Sequence, residues 1–220
     1  ESIVGRTNVE VTEPFWFRDE FNENSLGRYP TLWYRHYSTR PTVSDGKMSL
    51  VAGNSRGIRL QVCNDKIIDG YISCKLSRPR VSSNAGLAIY STGAVSSDYI
   101  YTPSGHDIFF GYSHDKPSRY TINGTKVSSQ SGSIPDYTEG DEVEFKIEID
   151  DYIYKFYVNG TLVYTTPDQI FDIGNRLVLH FGKYGSGTFT VDDLQISGTR
   201  VYKKPIHRGA MLETYHDGTQ

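Results

Sequence analysis

The sequence has little from which a helical or membrane-spanning protein is built. Only 2 Met, 2 Trp and 2 Cys occur in 220 residues, and no apolar period of 3.6 persists beyond two turns, which excludes a helical bundle and a coiled coil. No run approaches the ~18 apolar residues of a membrane span, so no membrane insertion is expected. The 23 Lys and Arg stand against 26 Asp and Glu, for a net charge of −3, and no basic block occurs. A nucleic-acid partner is therefore not expected. There is no Gly-x-Ser-x-Gly elbow, P-loop, His-Glu-x-x-His or Cys/His cluster. Two cysteines without a CxxC do not make a thiolate metal site. The chain opens at Glu1 with neither Met nor an apolar leader, as a mature or excised segment does.

Turn and sheet chemistry is what the sequence has in quantity, with 21 Gly, 9 Pro, 17 Tyr and 10 Phe. In Val143–Asp150, Val143, Phe145, Ile147 and Ile149 alternate with Glu144, Lys146, Glu148 and Asp150. Period two over eight residues predicts a strand with one dry and one wet face. After a turn at Asp150-Asp151 come Tyr152–Val158, the Asn159-Gly160 pair and Leu162–Thr165. Asn-Gly suits a type I′ hairpin because both residues accept positive φ. Arg119–Ile122, Asn123-Gly124 and Thr125–Val127 repeat that hairpin signal. Further strands are predicted at Lys47–Val51, Ile58–Val62, Tyr71–Leu76, Gly86–Tyr90, Asp107–Tyr112, Leu177–Phe181 and Thr188–Ile196. In the last, Phe189 and Val191 lie on one parity and Leu194 and Ile196 on the other, so a bulge is expected at Asp192-Asp193. About a dozen short strands separated by turns specify an all-β, antiparallel sandwich.

Cys63 and Cys74 lie in neighbouring predicted strands, and a cross-strand disulfide there would imply an oxidising compartment. Alternation groups Cys74 with Ile72 and Leu76 but Cys63 with Arg59 and Gln61, which opposes that pairing unless a bulge intervenes. Residues 15–198 are expected to form one domain. The segments 1–14 and 199–220 are expected outside it, either as frayed termini or as arms that dock on neighbouring copies in a homo-oligomer or assembly.

Several motifs carry a family resemblance. Phe17-Arg18-Asp19-Glu20-Phe21-Asn22 with Trp33 downstream resembles the opening of concanavalin A-like jelly rolls, and Val43–Leu50 resembles the strand that follows. Tyr137–Glu142, the central meander and Phe156–Val163 resemble the later half. Phe181–Gly187 leading into Asp192–Ile196 is similar to the closing strands of laminin G-like members. The resemblance covers residues 15–198 in order and implies a jelly roll with a saccharide-facing concave sheet. The superfamily spans lectins, carbohydrate-binding modules, adhesion domains, glycoside hydrolases and polysaccharide lyases, so fold alone does not choose among activities.

The glucanase branch has Glu-x-Asp-x-x-Glu on one strand, where alternation aims the carboxylates at one sugar bond. This chain offers Glu148-Ile149-Asp150-Asp151-Tyr152-Ile153, with Ile153 in place of the second Glu. A polysaccharide lyase needs a Tyr or His base and a group that neutralises a uronate. Leu179–Tyr184, with His180, is a faint match to a lyase strand, without the Arg-rich and Gln-x-His strands expected beside it. The expectation is a non-catalytic, lectin-like module that binds a glycan or polysaccharide, from an extracellular or surface-exposed protein. The alternatives are a structural or receptor-binding subunit of a virion appendage, fibre or surface assembly, and a lyase.

Sugar recognition uses aromatic platforms and planar polar groups. The densest supply is Tyr99, Tyr101, His106 and Asp107, followed by Tyr112 and Arg119. The plainer reading is that these tyrosines only cover the sandwich. Trp33 is expected in the core and Trp16 at the surface. The resemblance also implies a structural calcium ion beside the terminal strands, for which Asp19, Glu20, Asp192 and Asp193 are the candidate ligands.

Overall fold

A computed structural model describes residues 7–23, 31–34, 41–52, 57–63, 66–77, 83–90, 108–113, 116–122, 125–126, 140–150, 153–166, 176–183 and 187–206. Every regular element among them is a β-strand, in chain order β1 (Thr7–Asp19), β2 (Thr31–Tyr34), β3 (Thr42–Ser44), β4 (Lys47–Ala52) and β5 (Gly57–Cys63). There follow β6 (Lys66–Ser77), β7 (Ser83–Tyr90), β8 (Ile108–Ser113), β9 (Lys116–Ile122) and β10 (Thr125–Lys126). The last are β11 (Glu142–Asp150), β12 (Ile153–Val158), β13 (Thr161–Thr165), β14 (Arg176–Lys183) and β15 (Gly187–Ile206). All pairings are antiparallel. One sheet of eight strands runs β13-β12-β11-β6-β15-β4-β3 with β1 also on β15, and one of seven runs β10-β9-β8-β7-β14-β5-β2.

Alternation sets the core. Val143, Phe145, Ile147 and Ile149 of β11 are buried, as are Tyr154, Phe156 and Val158 of β12 and Ile72, Cys74 and Leu76 of β6. From the other sheet, Leu87 of β7 and Phe110 of β8 are buried too. The Phe110 ring meets Phe145 and Phe156 edge-on, with centroids 5.3 and 5.0 Å apart. The two sheets therefore face each other across an aromatic layer, as in a jelly roll. Each fully buried phenyl contributes about 1.5–3 kcal/mol of transfer free energy.

The turn chemistry follows the sequence. Asn159 and Gly160 have φ of 46° and 74°. The Asn159 side-chain Oδ1 also accepts a 2.9 Å bond from the Glu144 backbone amide, tying this hairpin to β11. Asp193 has φ 48°, and the β15–β6 register shifts between Asp192 and Gln195. That is the expected bulge, and it returns Leu194 and Ile196 to the core beside Val191.

Two features differ from expectation. Among the described residues the strands number fifteen, and β15, β1 and β6 are long, at 20, 13 and 12 residues. The expected boundaries at 14/15 and 198/199 fall inside strands: Thr7–Pro14 and Thr199–Ile206 are hydrogen-bonded to each other as continuations of β1 and β15. No residue of 8–14 or 199–205 is fully buried, so the ribbon adds nothing to the core, although Val11 and Glu13 lie half-buried between exposed neighbours. Arg200 binds it instead, through an ion pair with Glu13 and by lying over the Phe15 and Tyr202 rings at 5.6 and 5.1 Å. Cys63 and Cys74 belong to different sheets and Cys74 is a free, buried thiol, in line with the alternation that opposes their pairing.

Candidate functional site

The two outer faces differ in chemistry. On the eight-stranded sheet, charges of both signs interleave. Lys155 pairs with Glu148 at 3.1 Å and Asp150 at 3.4 Å. Lys146 pairs with Glu148 at 3.5 Å and lies over the rings of Tyr71 and Tyr157. Partial burial works to raise the Glu148 carboxyl, but the hydrogen bond and charge of Lys155 outweigh it and leave the pKa lowered. The Glu148/Asp150 motif thus lies in a charge-neutralised surface network, half-exposed and on a lysine-rich face. This is a solvated strand and not a pair of opposed carboxylates.

On the seven-stranded sheet, register assigns the faces. Leu87 and Phe110 are Cα partners and both are buried, which marks the core face. Leu179 pairs with Leu87, Leu60 with Leu179, and Leu32 with Leu60. By alternation Ile58, Leu177, Phe181, Ile89 and Ile108 share that face, an unbroken apolar set. The opposite parity forms one row across six strands: Trp33, Arg59, His180, Gly86, Gly111 and Arg119 are successive Cα partners. At about 4.8 Å per strand the row spans about 24 Å. The neighbouring row runs Thr31, Gln61, Val178, Ala88, Phe109, Thr121 and Lys126. Tyr90, the partner of Arg176, is on the same outer face. Gly86 and Gly111 lack a Cβ, so the floor of the face is lowest at its centre, between His180 and Arg119. Most tellingly, none of the seven strands contains Asp or Glu.

Of the site residues expected from sequence, Arg119 lies on this outer row. Tyr112, the partner of Ala85 and two residues from Phe110, falls on the core face instead. Tyr99, Tyr101, His106 and Asp107 lie outside the described residues. Trp33 is the converse case: expected in the core, it sits on the outer parity, because Leu32 and Tyr34 take the core positions of β2. Trp16 is 67% exposed, as expected. Arg59, Gln61 and His180 were visible in the sequence as the polar members of alternating strands, but only strand order brings them together.

The terminal carboxylates do not form a cation site. Asp19 is buried, and its Oδ1 accepts a 2.8 Å bond from the Phe21 amide, holding Phe21 at φ 51° with its ring in the core. Asp192 Oδ1 accepts from the Asp193 amide at 2.6 Å. Asp193 is engaged by Arg18 at 3.2 Å, Lys75 at 3.5 Å and the Gln195 amide at 2.8 Å, and Glu20 by Arg18 at 2.7 Å. Among the described residues no three His, Cys, Asp or Glu groups converge in a way that could hold a metal ion. The residues present do not fit the calcium that the resemblance implies.

No family model matches the sequence, and no curated protein matches it. Solved structures do. A laminarinase from Flavobacterium sp. UMI-01 is 14% identical with a TM-score of 0.58, covering 82% of this chain and 98% of its own. The Bacillus licheniformis β-glucanase is 14% identical with a TM-score of 0.54, covering 82% and 97%. The κ-carrageenase of Pseudoalteromonas carrageenovora, solved with a κ-carrageenan oligosaccharide, is 13% identical with a TM-score of 0.50, covering 84% and 96%. The likeness is one of fold: the chain shares the antiparallel β-sandwich of these structures.

Proposed function

We propose that this chain is a lectin-like module that binds a polysaccharide across the outer face of its seven-stranded sheet. One observation carries the reading: Trp33, Phe109 and Tyr90 share a face with planar polar groups around a floor lowered by Gly86 and Gly111. Aromatic planes suit the C–H faces of pyranose rings, and guanidinium and amide groups suit their hydroxyls. The similar solved structures named as a laminarinase, a β-glucanase and a κ-carrageenase lend support by analogy of fold. Two-carboxylate hydrolysis lacks its reagents on this sheet, since its strands hold no acidic residue. A glycan-binding role also suits an extracellular or surface-exposed protein. Calorimetric titration against a panel of soluble polysaccharides tests the proposal. At least one should bind saturably, and Trp33→Ala should weaken it by about tenfold, the loss of one buried aromatic contact. No saturable binding to any member would contradict the proposal.

A second reading, β-elimination, is favoured by the register that makes His180 and Arg59 Cα partners on that face. An imidazole base beside a cation that neutralises a uronate is the minimum such chemistry needs. Incubation with alginate or a glycosaminoglycan would then generate the absorbance of an unsaturated uronate, and His180→Ala would abolish it. No absorbance change leaves binding as the whole activity.

A further inference from the structure

We infer that the polysaccharide taken by this face is anionic, bearing carboxylate or sulfate groups; the inference rests on the binding reading above. In a chain with 26 Asp and Glu, the strands of the seven-stranded sheet carry none. On their outer parity stand Arg59, Lys116, Arg119, Lys126 and Arg176, with His180 among them. The eight-stranded sheet is the contrast. There Lys155 meets Glu148 and Asp150, Lys47 meets Glu142, Arg200 meets Glu13, and Arg18 meets Asp193. One sheet neutralises its cations strand by strand, while the other offers no carboxylate on any strand to do so.

Same-sign charges spread over a face raise its potential at a cost in self-repulsion, and a neutral ligand returns nothing for that cost. An anionic one does. The cations also flank the Gly86–Gly111 floor on both sides: Arg59 and Arg119 are four strands apart on one row, about 19 Å, with Lys126 on the next row. A chain lying across the floor would span both arginine positions, and guanidinium groups suit charge-assisted hydrogen bonds to carboxylate or sulfate oxygens. Nucleic acid, the other polyanion, is disfavoured by the overall charge of −3, which opposes a dense phosphate backbone.

The test is calorimetric titration of the full chain with polygalacturonate, dextran sulfate, the neutral glucan laminarin and a DNA oligonucleotide. Polygalacturonate or dextran sulfate should bind at least about tenfold tighter than laminarin, and whichever binds tighter identifies carboxylate or sulfate as the group recognised. The double variant Arg59→Gln/Arg119→Gln should lose that preference at unchanged melting temperature. Lys203→Ala/Lys204→Ala, an equal change in net charge at exposed positions of β15, should keep it. If the glutamine pair fails to fold, Arg59→Lys and Arg119→Lys serve: charge is kept and the bidentate fork is lost, so affinity should fall while the preference for anions remains. Laminarin binding as tightly as the anionic chains would overturn the inference and leave the binding proposal standing. Binding to none of the polysaccharides would overturn both. DNA binding as tight as the best polysaccharide would overturn the anionic-glycan assignment in favour of a generic polyanion surface.

Discussion

Cys74 illustrates how position governs a residue's chemistry here. It is fully buried on β6, and burial, with Glu144 and Asp193 adding to it, pushes its thiol pKa far up. Since the thiolate is the reactive form, Cys74 should resist a thiol reagent in native buffer and react once the chain is unfolded in guanidinium; native labelling of Cys74 on peptide mapping would contradict this. The carboxylates make a second case. Partial burial raises Asp193, but the Gln195 hydrogen bond and the Arg18 and Lys75 charges win, leaving its pKa below the ordinary 3.8. Glu148 is held below its ordinary 4.5 by Lys155 in the same contest. A carboxyl depressed in the folded state contributes stability that is present above its ordinary pKa and lost as pH falls through the folded one. The denaturant midpoint should therefore change little between neutral pH and about 5 and fall steeply below about 4. With Asp19, Asp192 and Asp193 already engaged by amides and cations, a chelator should leave the melting temperature unchanged. A drop on chelation, restored by calcium, would show a cation site beyond these residues.

At the scale of elements, β6 and β15 approach each other closely. Gly70, at φ 124°, and Gly198 are Cα partners. A Cβ on Gly70 would lie 1.8 Å from the Ser197 carbonyl oxygen, and one on Gly198 would lie 1.9 Å from that of Asp69. Neither obstacle is a movable side chain, so the strands would have to part. Gly70→Ala and Gly198→Ala should each prevent accumulation of folded protein or lower the melting temperature by more than ten degrees, about 2.5–5 kcal/mol for a domain of this size. Gly140→Ala, with nothing within 4 Å, isolates the cost of positive φ alone and should be far milder. This pair was not legible in the sequence, where both glycines look like ordinary turn formers. The meander of β11, β12 and β13 was legible, because β11 and β12 each have one wet and one dry face and the Asn-Gly turn into β13 carries its own signal. The β1–β15 ribbon was less so, because none of its residues at 8–14 or 199–205 is fully buried and Thr199–Tyr202 are half-buried on both parities.

For the whole molecule, the fold was readable from turn chemistry and alternation, but the candidate site was readable only in part. Arg119 was chosen for its proximity in sequence to tyrosines, and it does belong to the outer row. Its row partners, Trp33, Arg59 and His180, are distant in sequence and meet only through the strand order β9-β8-β7-β14-β5-β2. Tyr112 misled because local aromatic density says nothing about parity, which the buried Phe110 two residues away fixes. Strand order also separates the molecule's chemistry: mixed charge on the eight-stranded sheet, and cations and aromatics with no Asp or Glu on the strands of the seven-stranded sheet. The measurement that tests this division most directly is amide hydrogen exchange with and without the polysaccharide that binds tightest. Added protection should concentrate in β5, β14, β7 and β8, the strands under the Arg59–Gly111 row, while β11, β12 and β13 remain unchanged. Protection confined to β11–β13, or none at saturation, would contradict the assignment of this face as the binding surface.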